Sequence, residues 1–285
     1  MLKAMNNKIF TLSIITIMIT VLSGATVLAG EDLIYEKTVS SQSGAKLTVK
    51  SAAGTVKVIS SSSNEVSVKA YGNDEAKEKL DISAETSSDG VLVTVKKKEG
   101  VKMNNMNIRL EITVPAEYNV SLNTGGGNLS VTSLKGKMEL NTKGGNITFD
   151  NNNGEANIST NGGNISVSSF SGSIEAETYG GNIKFSGSNG KVKATTMGGN
   201  ISADYSGKNE GIELSTMAGN IKLEIPAEFD ADVDLSTSVG RITGDLAKDC
   251  SEKKVGCTLQ TTYGSGGNVL KCSTNAGTIT VNTKK

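Results

Sequence analysis

The sequence predicts an all-β chain: a single-stranded parallel β-helix (β-solenoid) with rungs of about 18 residues, an N-terminal cap region and one inserted loop. Three observations carry this expectation. A six-residue motif recurs at near-constant spacing, apolar and polar residues alternate on both sides of it, and glycine stands at its corner in every copy.

The first element in chain order is a targeting segment. Lys3 and Lys8 form a basic start, residues 9–22 are apolar, and Val27-Leu28-Ala29 has the small-residue pattern of a cleavage site. Residues 1–29 therefore read as a signal peptide. The alternative is an uncleaved anchor, because residues 9–30 carry no charge and are long enough to span a bilayer. On either reading the remainder lies outside the cytoplasm.

Residues 31–115 read as wider N-terminal rungs and a cap. Within them, residues 74–80 are the one expected helix after the leader, residues 81–98 resemble a hairpin turning at Asp89 and Gly90, and residues 107–114 form another strand. A solenoid needs such a cap to cover an open end.

Residues 116–285 carry the regular repeat. Thr142-Lys143-Gly144-Gly145-Asn146-Ile147 is one copy, and equivalent copies place asparagine at Asn128, Asn146, Asn164, Asn182, Asn200 and Asn220. Degenerate copies surround Gly54, Gly240 and Gly277. Before each motif come apolar pairs such as Met138/Leu140 and Ile174/Ala176; after it come pairs such as Ile147/Phe149 and Ile183/Phe185. Period-2 alternation makes these strands with one dry face and one wet face. A single unit cannot bury its dry face, but stacked units can. Stacking then predicts an asparagine ladder between rungs, a threonine at each strand end, and glycine at each corner for unusual φ. Pro115 and Pro226 each precede Ala-Glu-aromatic and end a strand. Residues 247–267 read as an inserted loop before the last rung.

Composition removes several chemistries. The chain has no His and no Trp, so a Ser-His-Asp triad, a Cys-His dyad and a His-ligated zinc are excluded. It has 29 basic and 29 acidic residues, which argues against nucleic acid as a partner. The glycine corners are followed by strands rather than helices, so they are not phosphate cradles, and no cofactor is expected. Outward acids such as Glu139, Glu155, Glu175 and Glu213 form no compact cluster, and Arg109 and Arg241 are the only arginines. No catalytic or metal residue emerges, and a polysaccharide-acting enzyme is the weakest of three functional readings.

Two features stand out as candidate sites. Of three cysteines, Cys272 falls at an inward strand position, while Cys250 and Cys257 fall in the inserted loop, where export favours a bridge between them. Other pairings and an all-reduced state remain open at this stage. Three consecutive corners carry Tyr179, Met197 and Met217, which form either a contact patch or a strip covered by the loop or cap.

The T-x-G-G-N-I rungs, the Pro-Ala-Glu-aromatic breaks and the final rung at residues 275–281 resemble the bacterial "putative adhesin" family of β-strand-repeat domains of unknown function, related to auto-transporter adhesin heads. The resemblance covers about residues 40–282. It implies a β-helix, surface display and no enzymatic activity. The expected role is an exported interaction or scaffold module with an unknown envelope protein or glycan as partner, and membrane contact only through an uncleaved leader. A self-assembling scaffold is the alternative, through unpaired backbone on the last rung at residues 278–282.

Overall fold

The computed structural model describes residues 31–101, 106–247 and 256–284. Residues 1–29, expected above to be a leader, and Cys250 lie outside them. The chain's described residues are all-β apart from one short helix. Its N-terminal region comprises β1 (Asp32–Ser40), β2 (Lys46–Ser51), β3 (Thr55–Ser61), β4 (Glu65–Gly72), α1 (Asp74–Lys79), β5 (Leu80–Ser87), β6 (Gly90–Lys97) and β7 (Ile108–Pro115). The regular region follows with β8 (Asn119–Thr124), β9 (Leu129–Thr132), β10 (Lys135–Thr142), β11 (Ile147–Asp150), β12 (Asn153–Thr160), β13 (Ile165–Thr178), β14 (Ile183–Ser188), β15 (Val192–Thr196) and β16 (Ile201–Ser206). It closes with β17 (Ile212–Ala218), β18 (Ile221–Pro226), β19 (Ala231–Val239), β20 (Ile242–Gly244), β21 (Cys257–Tyr263), β22 (Val269–Ala276) and β23 (Ile279–Lys284).

These strands form two ladders joined at the motif corners. Along the first, the spatial order is β5, β6, β2, β8, β10, β12, the second half of β13, β15, β17, β22, β19, β21. Along the second it is β1, β4, β7, β3, β9, β11, the first half of β13, β14, β16, β18, β23, β20. Pairing through the middle is parallel, with Leu140 opposite Ile158 and Ile147 opposite Ile165. The result is a solenoid-like sheet wound around one core. Strand burial alternates as the period-2 pattern requires, for example in β12, where Ala156, Ile158 and Thr160 are buried. Side chains from both ladders make a single apolar cluster.

Few aromatics are needed because the core is narrow, and six of those present are buried in it. Phe149 and Phe170 meet at 5.4 Å between ring centroids, and Tyr205 meets Phe229 edge-on at 6.0 Å. Pro115 and Pro226 are the last residues of β7 and β18, and the aromatic three residues on, Tyr118 or Phe229, is buried. Helix α1 is capped by the Asn73 side chain, which accepts from the Ala76 N–H at 3.0 Å, and it stops where Leu80 turns extended.

Chain order and spatial order disagree at both ends. The rung made by β2 and β3 lies between β6/β7 and β8/β9, although it precedes all of them in sequence. The rung made by β22 and β23 lies between β17/β18 and β19/β20, although it follows all of them. This corrects the expectation of an unpaired edge at residues 278–282, because β23 is hydrogen-bonded on both sides. The inserted loop is also corrected in part: it contains a strand, β21, which lies antiparallel along β19 and ends the first ladder. The outermost strands are β5 and β1 at one end and β21 and β20 at the other. They resist pairing with another chain by charge (Asp81 and Glu85 on β5, Glu36 and Lys37 on β1), by polar content (β21) or by being three residues long (β20).

Candidate interaction edge

The motif corner is built by three residues with separate tasks. The threonine side chain points inward and is buried at every regular rung. Its hydroxyl donates to a glycine carbonyl on the neighbouring rung, Thr142 to Gly127 at 2.9 Å, Thr160 to Gly145 at 2.8 Å and Thr178 to Gly163 at 2.9 Å. The same oxygen accepts from its own corner, as Gly163 N–H to Thr160 at 3.3 Å shows. A buried hydroxyl is thereby satisfied twice, and among the described residues no buried side-chain polar atom lacks a partner.

The six asparagines stack, but by a side-chain-to-backbone route. The Asn146 N–H donates to Asn128 Oδ1 at 2.8 Å, and the step repeats at the same distance up to Asn220 on Asn200. The last bond, from the Thr278 N–H to Asn220 Oδ1 at 2.8 Å, carries the ladder onto the interleaved C-terminal rung. One contact joins two side chains directly, Asn200 Nδ2 to Asn182 Oδ1 at 3.4 Å.

Glycine's task differs from the expected one. Left-handed φ occurs at Gly127, at 122°, but not at Gly145, Gly163, Gly181 or Gly199. There the demand is close approach: a Cβ on Gly145 would lie 1.8 Å from the Gly127 carbonyl oxygen. The opposite corner has its own stacked glycines, Gly136, Gly154 and Gly172, each with positive φ. Their 18-residue spacing is visible in the sequence but was obscured by the stronger Gly-Gly signal beside it.

Outside this hydrogen-bonded frame, the corner exposes an apolar strip. Tyr179, Met197 and Met217 are 51%, 47% and 52% exposed, so neither the β21 region nor the N-terminal cap covers them. They occupy successive rungs, linked by the Gly198 N–H to the Tyr179 carbonyl and the Ala218 N–H to the Met197 carbonyl. The strip runs on through exposed Ala218 and Ala276 to Val239, 59% exposed, because β22 lies between β17 and β19. Val239 escapes sequence reasoning since the interleaving that sets it beside Ala276 has no local signature.

The cysteines divide as follows. Cys257 is disulfide-bonded, and Cys272 is free and fully buried between Leu214 and Leu235. Burial pushes the Cys272 thiol well above its ordinary pKa. Among the described residues no group of three or more metal-ligating side chains converges, and no helix is long and apolar enough to cross a membrane.

A stacked all-β solenoid with a bonded corner and an exposed apolar strip defines a β-strand-repeat protein. The chain belongs to the Toastrack DUF4097 family, whose pattern matches residues 44–282. No curated protein matches it in sequence. Among solved structures, it is similar to a "putative adhesin" from Bacteroides fragilis NCTC 9343, at 13% identity over 88% of this chain and 96% of that one, with a TM-score of 0.48. It is also similar to a "putative cell adhesion protein" from Clostridium sporogenes ATCC 15579, at 13% identity, 89% and 99% coverage and a TM-score of 0.25. A third, a "putative lipid binding protein" from Parabacteroides distasonis ATCC 8503, shares 13% identity with 89% and 97% coverage and a TM-score of 0.29.

Proposed function

We propose that this chain is an exported, non-enzymatic interaction or scaffold module of the bacterial cell envelope, built as a single-stranded parallel β-helix with rungs of about 18 residues. On this reading residues 1–29 are removed as a signal peptide, residues 31–115 form wider rungs and a cap, and residues 116–285 form the regular rod. The observation that carries the reading is the corner strip. Among the described residues, four of the six exposed large apolar side chains, Tyr179, Met197, Met217 and Val239, fall along one corner of the molecule. Exposed contiguous apolar surface on a rigid frame marks a contact surface, and methionine adapts its shape to a partner. The partner is an envelope protein or glycan that meets this edge.

The test is co-sedimentation of the purified exported chain with envelope fractions of the producing bacterium. The double variant Met197→Asp, Met217→Asp is expected to lose binding while keeping its thermal midpoint, since both side chains are about half exposed. Equal binding by variant and wild type would overturn the assignment of the edge.

A further inference from the structure

Some lysines on the outer faces of this rod are matched by a carboxylate on the same or an adjacent strand. Lys135 meets Glu117 at 2.8 Å, Lys137 meets Glu155 at 3.2 Å, Lys193 meets Glu175 at 2.7 Å and Lys222 meets Glu224 at 2.8 Å. Elsewhere, four lysines without such a partner gather in one place. Lys50, Lys96, Lys97 and Lys143 are all exposed and make no ion pair with any described residue. They line one open depression of about 780 Å³, and no carboxylate lines it with them. Asn123 and Asn161 share the lining, and their side-chain amides have no hydrogen-bond partner among the described residues. Of the acids on neighbouring strands, Asp81 stands opposite Lys96 across β5 and β6 without lining the depression, and Glu139 is engaged by Ser121 at 3.2 Å and Asn141 at 3.4 Å.

The grouping is a product of the interleaved N-terminal rung. Lys96 and Lys97 stand on β6 or at its end, Lys50 on β2, Asn123 on β8, Lys143 just after β10 and Asn161 just after β12. These are five adjacent strands of one ladder, so the patch extends about 19 Å at the usual spacing of about 4.8 Å between strands. Four positive charges with no negative one is a marked local excess in a chain whose formal net charge is zero. Such an excess acts at short range, because screening leaves little field beyond about a Debye length.

The geometry points to this depression as a binding site for a linear polyanion, a chain bearing phosphate or carboxylate groups along its length. A single small anion would engage one or two of the lysines and leave the others unmatched. A threaded chain presents successive anionic oxygens to successive strands, and the two asparagine amides donate to the neutral oxygens between them. The site adjoins the Tyr179–Met217 strip, Asn161 being one rung from Tyr179, but draws on different side chains.

The test measures binding of the purified chain to long-chain inorganic polyphosphate, to polygalacturonate and to vesicles of anionic phospholipid, across a salt series. Binding to either polymer, weakening as salt rises, is expected. The double variant Lys50→Gln, Lys143→Gln should weaken it roughly 30-fold, the effect of two lysines against an anionic surface. A control of equal charge loss, Lys135→Gln with Lys137→Gln, should change it less than about threefold, since those lysines are already paired. Preference for polyphosphate or polygalacturonate identifies the anionic group. Failure of the wild type to bind either polymer, binding to vesicles alone, or equal loss in the control would each overturn the assignment. Met197→Asp is expected to leave polymer binding intact, so this site and the apolar strip stand or fall separately.

Discussion

Gly144 and Gly145 are neighbours in the same motif, yet they meet different surroundings. Around Gly144 nothing lies within 4 Å of an added Cβ, whereas at Gly145 that atom would lie 1.8 Å from the Gly127 carbonyl oxygen. Backbone cannot yield as a flexible side chain does, so Gly145→Ala is expected to cost roughly 3 kcal/mol or more in thermal or denaturant unfolding. Gly144→Ala should stay within about 1 kcal/mol of wild type. A second residue-scale prediction concerns Cys272. Its thiol is fully buried and held neutral, so it should resist a thiol reagent in the folded chain and react fully in denaturant. The sign for stability follows: a thiol pKa raised by folding leaves stability intact below the unfolded value, and stability falls as pH climbs above about 8.5. The residue types at these corners were readable from spacing alone. Which glycine of the pair is sterically required was not, because that depends on how closely one rung's carbonyl approaches the next.

Among the elements, alternation identified most strands, the single short helix and the hairpin of β5 and β6, since period and turn chemistry are local properties. The order of the rungs is not local. Nothing in residues 269–284 distinguishes a rung that ends the stack from one that slots between two earlier rungs, because its inward residues suit either place. Leu270, Cys272, Ile279 and Val281 are fully buried by rungs on both sides. Deleting residues 269–285 therefore opens a gap inside the core rather than shortening the rod. At about 1.5–3 kcal/mol for each buried apolar side chain, these four alone represent about 6–12 kcal/mol, comparable to the whole stability of a typical domain. The truncated chain should lose its cooperative unfolding transition, as followed by circular dichroism. A near-normal midpoint would mean that β22 and β23 are dispensable, as the last repeat of a simple stack would be.

For the molecule as a whole, winding the terminal segments inward has two consequences. It leaves outer strands that are charged, polar or very short, which is how β-proteins avoid adding further strands. The chain should accordingly elute as a monomer at high concentration in size-exclusion chromatography with light scattering, and a ladder of higher masses would contradict that arrangement. It also sets Val239 in register with Ala276 and Ala218, one residue past the position that Tyr179, Met197 and Met217 hold, lengthening along the same corner a strip that sequence spacing limits to three residues. The candidate site was thus partly legible: its centre followed from the 18-residue period, its extent only from the spatial order of β17, β22 and β19. The central claim is that this corner meets the partner. It is tested most directly by placing a photo-crosslinking amino acid at single positions along the rod in living cells. The account predicts a discrete adduct from positions 197 and 217, and none from positions 155 and 173 on the charged face. Adducts from the charged face alone, or from no position, would contradict it.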